Sequence, residues 1–477
     1  MNEFIGRARE IAKLQSVLKK GRSEFVAIYG RRRVGKTFLV RTVFDNQFSF
    51  QLTAIANVTK SQQLFNFHTI LQKYQANKTL PVPKNWFIAF QQLIDYLEAL
   101  PDQQKIIFLD ELPWFDNQKS DFIPSLEYFW NSWASARKDI ILIVCGSAAS
   151  WIINKLINHK GGLHNRVTER IQLQPFTLSE TITFLQLKNP AINYYQTIQI
   201  YMVMGGIPFY LDRVQAHLSA MQNIEQICFA ADGLLRLEFD NLFHALFSKA
   251  ERHIAIVRAM AKKSKGLTRK EIIQAAKIPN NGTLTQILDE LEKSGFIRRY
   301  HPFQRKKQNS LYQLVDFYTL FYLRFIESSD PADRYNWSNA IDTPSYRTWS
   351  GYAFEQICLY HVHQIKMALS IGGVISRSFA WKDKTEAGGA QIDLLIDRRD
   401  QVINVCEIKF ASEPYLITKS YADQLRKKIA IFRAATGTKK AIYLTMITTY
   451  GLIENTHSQS LVQHDLTMDV LFTNDER

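Results

Sequence analysis

The chain has 477 residues, of which 46% are hydrophobic and 22% charged, and a formal net charge of +15. This composition is typical of soluble domains that bury sizeable cores, and the length suggests about three domains. No uninterrupted run of about 18 apolar residues is present, which argues against a membrane-spanning helix. The positive charge fits a polyanion partner such as DNA, and the alternative is a generally basic surface.

The four cysteines indicate a reducing compartment. Cys145, Cys228, Cys358 and Cys406 form no C-x-x-C pair and have apolar neighbours, which favours buried thiols. The opening residues Met1-Asn2-Glu3 show no charged leader and no apolar segment. These features predict a cytoplasmic protein that does not associate with a membrane.

The first motif in chain order is a phosphate-binding loop. An apolar run at 25–29 leads into Gly30, Arg31, Arg32, Arg33, Val34, Gly35, Lys36 and Thr37, which fit G-x-x-x-x-G-K-[ST]. An amphipathic stretch at 38–44 follows, so strand, loop and helix are expected in that order. Loop amides and the helix N-terminus would bind ATP phosphates, Lys36 would reach the β- and γ-phosphates, and Thr37 would ligate Mg²⁺. The alternative is a fortuitous glycine-rich turn.

A second apolar run, at 106–109, ends in Asp110 and Glu111. This pattern resembles a Walker B strand. Asp110 would hold Mg²⁺, directly or through water, and Glu111 would orient the attacking water. The alternative is an ordinary strand that ends in exposed acids.

A third strand is predicted at 140–145 and is followed by Gly146 and Ser147. AAA+ ATPases carry a polar residue at this point that senses the γ-phosphate, and Ser147 fits the position; a plain turn is the alternative. In the loop at 161–170, Arg166 or Arg170 could act as an arginine finger, in cis or in trans, and action in trans would require oligomerisation. The alternative is an exposed basic loop.

These motifs together resemble the archaeal-type ATPase family, a STAND-related branch of the AAA+ class. Further matching stretches are Phe4-Ile5-Gly6-Arg7, Asn165-Arg166-Val167-Thr168, Gln174-Pro175-Phe176 and the segment Gly205-Gly206-Ile207-Pro208-Phe209-Tyr210-Leu211. The resemblance covers residues 1–240. It implies that 4–10 pack near adenine and that 205–211 belong to a helical lid without the usual sensor-2 arginine. One departure is His164-Asn165, where the family often has Tyr-Gly.

The connecting region is predicted to be helical from 176 to about 247. Capping boxes at Thr268–Glu271 and Thr283–Gln286 predict two short helices, and strands are expected at 296–300 and 311–314. The pattern resembles a winged helix. Basic residues of its wing would favour DNA backbone contact, namely Arg298, Arg299, Arg305, Lys306 and Lys307. Acids on the second helix oppose deep insertion into the groove, so an architectural linker is the alternative.

The C-terminal region places carboxylates and a lysine on adjacent strands. Glu407 and Lys409 lie two residues apart and therefore on one face of a strand, and Asp393 on the preceding strand can come alongside Glu407. Two carboxylates can bind Mg²⁺ or Mn²⁺, Lys409 can position or activate water, and Glu355 could complete the site from a helix. The alternative is an exposed acid–lysine pair in a hairpin.

The four side chains resemble the PD-(D/E)xK nuclease core, with Ile392 replacing the proline of that motif. The resemblance covers about residues 345–450 and implies a nuclease site at Glu355, Asp393, Glu407 and Lys409. A basic helix at 421–428 is expected next; it either contacts phosphate or presents a solvated face.

The sequence thus predicts an α/β protein with a P-loop ATPase core (1–175), a helical lid (176–245), a winged helix (246–327) and a nuclease-like domain (340–477). The predicted function is ATP binding and hydrolysis coupled to metal-dependent DNA binding and cleavage, with a homo-oligomer or a protein partner as further expectations. The alternatives are a nuclease-inactive ATP-dependent regulator and a signal-triggered effector of the defence or toxin type.

Overall fold

The computed structural model describes residues 5–75, 80–117, 120–158, 161–163, 165–247, 249–263, 266–300, 303, 310–330, 332–333, 336–341, 343–382 and 389–474. Contacts divide the chain into two units. The first contains Met1–Pro175, Leu242–Ala250 and Asp289–Gly295, and the second contains the remaining residues.

The sheet of the first unit has five parallel strands in the order β2-β3-β4-β1-β5. They are β1 Glu24–Gly30, β2 Phe50–Thr53, β3 Lys105–Asp110, β4 Ile140–Gly146 and β5 Glu169–Leu173. The central strands are nearly continuous apolar runs because a parallel sheet is covered on both faces. The carboxyl ends of β1, β3 and β4 therefore meet at one edge, where open α/β sheets bind ligands.

The helices around this sheet include one at Lys36–Val43, directly after the phosphate-binding loop. The other α-helices are Ala8–Leu18, Lys60–Gln75, Trp86–Glu98, Phe122–Tyr128 and Ala149–Trp151. Short 3₁₀ and π segments lie at Leu112–Phe115, Phe129–Trp133, Ala134–Ala136 and Ile152–Ile157.

The core on one face of this sheet is built around Trp86. The Trp86 ring is 1% exposed and makes edge-on contacts with Phe67, Phe115 and Phe122 at centroid distances of 6.0, 5.3 and 4.9 Å. Asn85 caps the helix by accepting a hydrogen bond from the amide of Ile88 at 2.9 Å. The cap and the aromatic packing together fix where this helix begins.

A buried ion pair joins the amino ends of β3 and β4. The Lys105 side chain is 2% exposed, and its Nζ lies 2.6 Å from Asp139 Oδ2. Arg137 Nε donates to the other oxygen of Asp139 at 2.8 Å. Hydrogen bonds from Arg137 and Lys105 hold the pKa of Asp139 well below its usual range, against the opposing effect of burial.

We expect Asp139→Asn to destabilise the first unit by about 2 kcal/mol, because the buried Lys105 ammonium loses its counter-ion while Asp139 itself keeps some solvent exposure. The expected fall in melting temperature is about 5 °C at pH 7. Since the folded-state pKa is depressed, this stability is present above the unfolded pKa and is lost as the pH falls through the folded value. The difference from wild type should therefore shrink below about pH 4.

Calorimetric melting of the full chain at pH 7 and at low pH measures both effects. Asp102→Asn, at an exposed position nearby, is the matched control. An Asp139→Asn protein that melts with wild type at pH 7 would contradict the assignment.

The second unit begins with helices at Leu178–Gln186, Tyr194–Met204, Pro208–Leu211 and Ala220–Ile224. Glu238–Leu246 and Gly282–Lys293 are helices that cross the division between the units. The later α-helices are Ala250–Ala261, Arg269–Ala276, Phe317–Phe321, Asn336–Ala340, Pro344–Tyr360, Val362–Ala368, Lys419–Thr436 and Thr456–Leu461. Shorter helical segments lie at Glu225–Phe229, Tyr322–Ile326 and Met468–Phe472.

Three short strands form a small antiparallel sheet in the order β6-β8-β7. They are β6 Leu267–Thr268, β7 Ile297–Tyr300 and β8 Leu311–Leu314. The capping box at Thr268 and Glu271 is confirmed. The second predicted box is wrong, because Asn281 Oδ1 accepts from the amide of Leu284 at 3.2 Å and the helix already begins at Gly282.

A mixed five-stranded sheet follows, in the order β13-β12-β11-β10-β9. Its strands are β9 Ser376–Lys382, β10 Gln391–Arg398, β11 Val402–Lys409, β12 Ala441–Thr448 and β13 His464–Leu466. Strands β9, β10 and β11 pair antiparallel, whereas β11, β12 and β13 pair parallel. The helix Lys419–Thr436 is the crossover between β11 and β12, and its Phe432 is buried in the core of this sheet.

No α-helix in the described part of the chain is both long enough and apolar enough to span a membrane.

Candidate functional site

The phosphate-binding loop follows β1 and requires glycine at both ends. Gly30 has φ +153°, and a Cβ there would lie 2.2 Å from the carbonyl oxygen of Leu173 on β5. Gly35 has φ +93°, in the left-handed region that side chains disfavour. The loop therefore turns directly into the helix Lys36–Val43, whose first amides lie at the loop.

Lys36 is held inside this loop. Its side chain is 5% exposed, and its Nζ donates to the carbonyl oxygens of Gly30 at 3.2 Å and Arg31 at 2.9 Å. Burial lowers the pKa of Lys36, and the nearby carboxylates of Glu111 and Asp110 partly oppose this shift. The ammonium is thus positioned beside the loop amides at which a phosphate would bind.

The two predicted magnesium ligands are joined by a hydrogen bond. Thr37 Oγ1 donates to Asp110 Oδ2 at 2.8 Å, and the amide of Glu111 donates to Asp110 Oδ1 at 2.9 Å. Burial and the charge of Glu111 raise the pKa of Asp110, while Thr37 and Lys36 act in the opposite direction. A hydroxyl and a carboxylate are the hard oxygen ligands that Mg²⁺ prefers, so this pair fits the ion.

Ser147, at the end of β4, orients the carboxylate of Glu111, which follows β3. Ser147 Oγ donates to Glu111 Oε1 at 2.7 Å, and the amide of Ser147 donates to the other oxygen at 3.3 Å. Glu111 has φ +52°, a conformation that costs energy and that such fixed contacts can maintain. The arrangement places an oriented carboxylate next to the loop, where it could polarise water.

We expect Ser147→Ala to lower the turnover of ATP about tenfold, because one hydrogen bond to a charged group contributes about 1.5 kcal/mol to positioning Glu111. ATP binding should stay within about twofold of wild type. Steady-state hydrolysis and nucleotide titration measure the two quantities. Ser135→Ala, at an exposed position of the same unit, is the control; equal turnover in both variants would argue against this role.

The predicted arginine finger lies on the surface of the first unit. Arg166 is exposed, and its amide donates to the carbonyl of Leu163 at 3.1 Å. Arg170, the other candidate, lies on β5 and is also exposed. The structure does not bring Arg166 into hydrogen-bonding contact with Lys36, Thr37, Asp110, Glu111 or Ser147.

In the second unit, the structure brings Asp393, Glu407 and Lys409 together. Strands β10 and β11 pair antiparallel with Leu394 opposite Cys406. This register, continued by one residue, sets Asp393 against Glu407, and the charge of Glu407 acts on Asp393. Lys409 Nζ lies 3.1 Å from Glu407 Oε1. Burial and the charge of Glu407 raise the pKa of Asp393, which also accepts a hydrogen bond from Gln391 Nε2 at 2.8 Å.

Two residues that the sequence did not assign to this site also contact Glu407. Both lie on the crossover helix Lys419–Thr436: Tyr421 Oη donates to Oε1 at 2.8 Å, and Lys428 Nζ donates to Oε2 at 2.5 Å. Burial opposes ionisation of Glu407, but the charges of Lys428 and Lys409 lower its pKa. The seven-residue spacing of Tyr421 and Lys428, two helical turns, is the signal that could have indicated a shared face.

Glu355 lies on the helix Pro344–Tyr360 and lines the same cavity as Asp393. Within the described ranges, no three His, Cys, Asp or Glu side chains converge as a metal cluster. The facing pair of Asp393 and Glu407 still fits Mg²⁺, because this ion is commonly held by one or two carboxylates, water and substrate phosphate.

In the predicted wing, the described basic side chains are less uniformly exposed to solvent than the sequence predicts. Arg298 is partly buried and hydrogen-bonds to Gln313 and Gln356, rather than projecting into solvent. Arg299 is exposed, and Arg305, Lys306 and Lys307 lie outside the described residues.

Comparisons with known proteins address the first unit most specifically. Residues 4–214 match the family described as an ATPase domain predominantly from Archaea. Over 89% of this chain and 91% of the relative, the sequence is 24% identical to an uncharacterized protein of Methanocaldococcus jannaschii. A solved Walker-type ATPase of Pyrococcus abyssi is similar with a TM-score of 0.50 and 19% identity, over 67% of this chain and 96% of that chain. Residues 4–214 therefore match an ATPase domain family of Archaea, and the chain shares the fold of a Walker-type ATPase.

Proposed function

We propose that this protein is an ATPase whose nucleotide state controls metal-dependent cleavage of DNA by its C-terminal region. The observation that carries the cleavage proposal is the placement of Asp393 opposite Glu407, with Lys409 beside them on the same sheet. The proposal divides the chain into an ATPase core (1–175), a lid (176–245), a winged helix (246–327) and a nuclease-like domain (340–477).

In the proposed ATPase site, each residue has a separate role. Lys36 and the amides of the loop 30–37 bind the phosphates, and Thr37 and Asp110 hold Mg²⁺, which would neutralise phosphate charge. Glu111 orients and polarises the attacking water, and Ser147 fixes the rotamer of Glu111. The exposed Arg166 is proposed to act on the nucleotide as an arginine finger, supplied within the chain or by a second copy.

The nuclease-like site uses three side chains on adjacent strands and one from a helix. Asp393 and Glu407 would hold Mg²⁺ or Mn²⁺, which would polarise the scissile phosphate. Lys409 positions the attacking water, and Glu355, from the helix Pro344–Tyr360, lines the same cavity as Asp393. The basic character of the whole chain, with its charge of +15, supports attraction of a nucleic acid.

The hydrogen bonds and ion pairs of Glu407 are also compatible with two other functions, the nuclease-inactive regulator and the signal-triggered effector. Lys409, Lys428 and Tyr421 all donate to this carboxylate, so a metal ion would have to displace part of that network. A site that stays in this arrangement would bind without cutting, or would cut only after a signal rearranges it.

Incubation of the full chain with supercoiled plasmid tests the proposal. Mg²⁺ or Mn²⁺ would be supplied with and without ATP, and EDTA would remove the metal. We expect metal-dependent nicking that ATP alters and that Asp393→Asn abolishes, while Asp400→Asn, in the exposed turn after β10, nicks like wild type.

Nicking that persists unchanged in Asp393→Asn or in EDTA would refute the assigned site. If the DNA stays intact under every condition while ATP is hydrolysed normally, the cleavage proposal would be rejected. The regulator or the triggered effector would then be the better description of the protein.

A further inference from the structure

A cavity of about 520 Å³ lies in the second unit beside the proposed nuclease residues. Its walls come from β7, the helix Pro344–Tyr360, β9 and β10, so the small sheet and the mixed sheet both contribute. Glu355 and Asp393 face into it. The volume is in the range of about 300–1,000 Å³ that encloses small ligands, and a stack of base pairs does not fit inside it.

The cavity is lined by the carboxylates of Glu355 and Asp393 as well as by the guanidinium of Arg298, so an anion would bind at its Arg298 side. Arg298 Nη2 donates to Gln313 Oε1 at 3.1 Å and to Gln356 Oε1 at 2.9 Å, and both partners are neutral amides. Burial lowers the pKa of Arg298, but an arginine remains charged at neutral pH. A partly buried guanidinium whose partners are neutral keeps a net positive charge for an incoming phosphate.

The remaining lining suits a nucleobase. The Gln356 side chain is 0% exposed, and its Nε2 has no hydrogen-bond partner within the described residues. A buried amide donor of this kind calls for an acceptor, and base edges supply acceptors. Tyr300 and Phe379 add aromatic surface to the same walls, and aromatic rings stack on bases of any sequence.

We propose that this cavity binds one unpaired nucleotide of a DNA strand, with its phosphate at Arg298 and its base against the aromatic side chains of the walls. This inference rests on the proposed nuclease function, and it specifies that the DNA strand at the site presents an unpaired nucleotide, as a single strand or a locally unwound part of a supercoiled plasmid does. Duplex DNA is excluded from the cavity because its bases remain paired and stacked.

Binding of a fluorescein-labelled 12-nucleotide single strand to the full chain tests the inference by anisotropy. Ca²⁺ replaces Mg²⁺, and a blunt-ended 12-base-pair duplex of the same sequence serves as the second probe. We expect Arg298→Gln to weaken single-strand binding at least about tenfold, in line with a charged hydrogen bond to phosphate, and to leave duplex binding within about twofold. Arg377→Gln, at an exposed position on β9, should change neither probe by more than about twofold.

Phe379→Ala is a second variant, which removes stacking surface and keeps Arg298. It should also weaken the single strand selectively, and melting curves of both variants verify that they fold. Equal loss for the single strand and the blunt duplex, or no loss for the strand in both variants, would overturn the inference. Arg298-dependent binding of free deoxyadenosine monophosphate without strand binding would overturn it as well, because the occupant would then be a free nucleotide.

This readout separates the inference from the nuclease proposal, since it does not depend on cleavage. Arg298-dependent strand binding by a protein that never nicks DNA would refute cleavage and support the cavity. Metal-dependent nicking without Arg298-dependent strand binding would support cleavage and refute the proposed role of the cavity.

Discussion

Replacing Lys36 by methionine is expected to reduce ATP turnover by at least about 100-fold, because the transition state loses a fixed positive charge at the transferring phosphate. Methionine keeps most of the side-chain volume, so the packing of this 5%-exposed position should survive. Since the ammonium already lies against the loop carbonyls of Gly30 and Arg31, it needs only a small reorientation to reach a phosphate.

Phosphate release by the full chain measures this effect, with Lys19→Met at an exposed position of the first unit as the control. Nucleotide binding should weaken as well, since ground-state contacts to the phosphates are lost. Hydrolysis within tenfold of wild type would show that Lys36 does not act on the transferred phosphate.

The sequence predicted most of the residues that the structure brings together at the loop 30–37, because each of them follows a local pattern. The glycine positions, the apolar run before Asp110 and the run before Ser147 each indicate a strand end, and parallel strands bring their carboxyl ends to one edge. The strand order and the hydrogen bond from Ser147 to Glu111 are tertiary facts that no local pattern contains.

At the C-terminal site, local sequence patterns predicted fewer of the contacts than they did at the loop 30–37. The period of two predicted that Glu407 and Lys409 share a face, but it could not predict which side chains from elsewhere would reach them. The sequence predicts a phosphate contact or a solvated face for the helix that carries Lys428, whereas in the structure Lys428 donates to Glu407. The sequence likewise predicts that Arg298 is available to the DNA backbone, whereas in the structure it is partly buried and donates to Gln356 on the helix Pro344–Tyr360.

The prediction of the second capping box was wrong for a different reason. Thr283 and Gln286 satisfy the spacing of a capping box, but Asn281, which precedes the helix, caps it instead. Asparagine is at least as good a cap as threonine, so two candidates of similar energy lay within two residues of each other.

Glu407→Gln is expected to abolish metal-dependent cleavage, with a loss of at least about 100-fold, because it removes one of two facing carboxylates that would hold the metal. The amide is nearly isosteric and can still accept from Tyr421, so the strand pairing of β11 should remain. Lys409 and Lys428 would lose their shared counter-ion, and both ammonium groups would then repel a cation from the site.

The plasmid assay with Mg²⁺ or Mn²⁺ measures this loss, and ATP hydrolysis by the same preparation should stay within about twofold of wild type, since the Thr37–Asp110 and Ser147–Glu111 contacts involve no residue of this site. Glu413→Gln, in the exposed segment after β11, is the matched charge-neutralising control. A Glu407→Gln protein that cuts as fast as Glu413→Gln would contradict a metal ligand at 407. The carboxylate would then serve only to hold Lys409 and Lys428 in place.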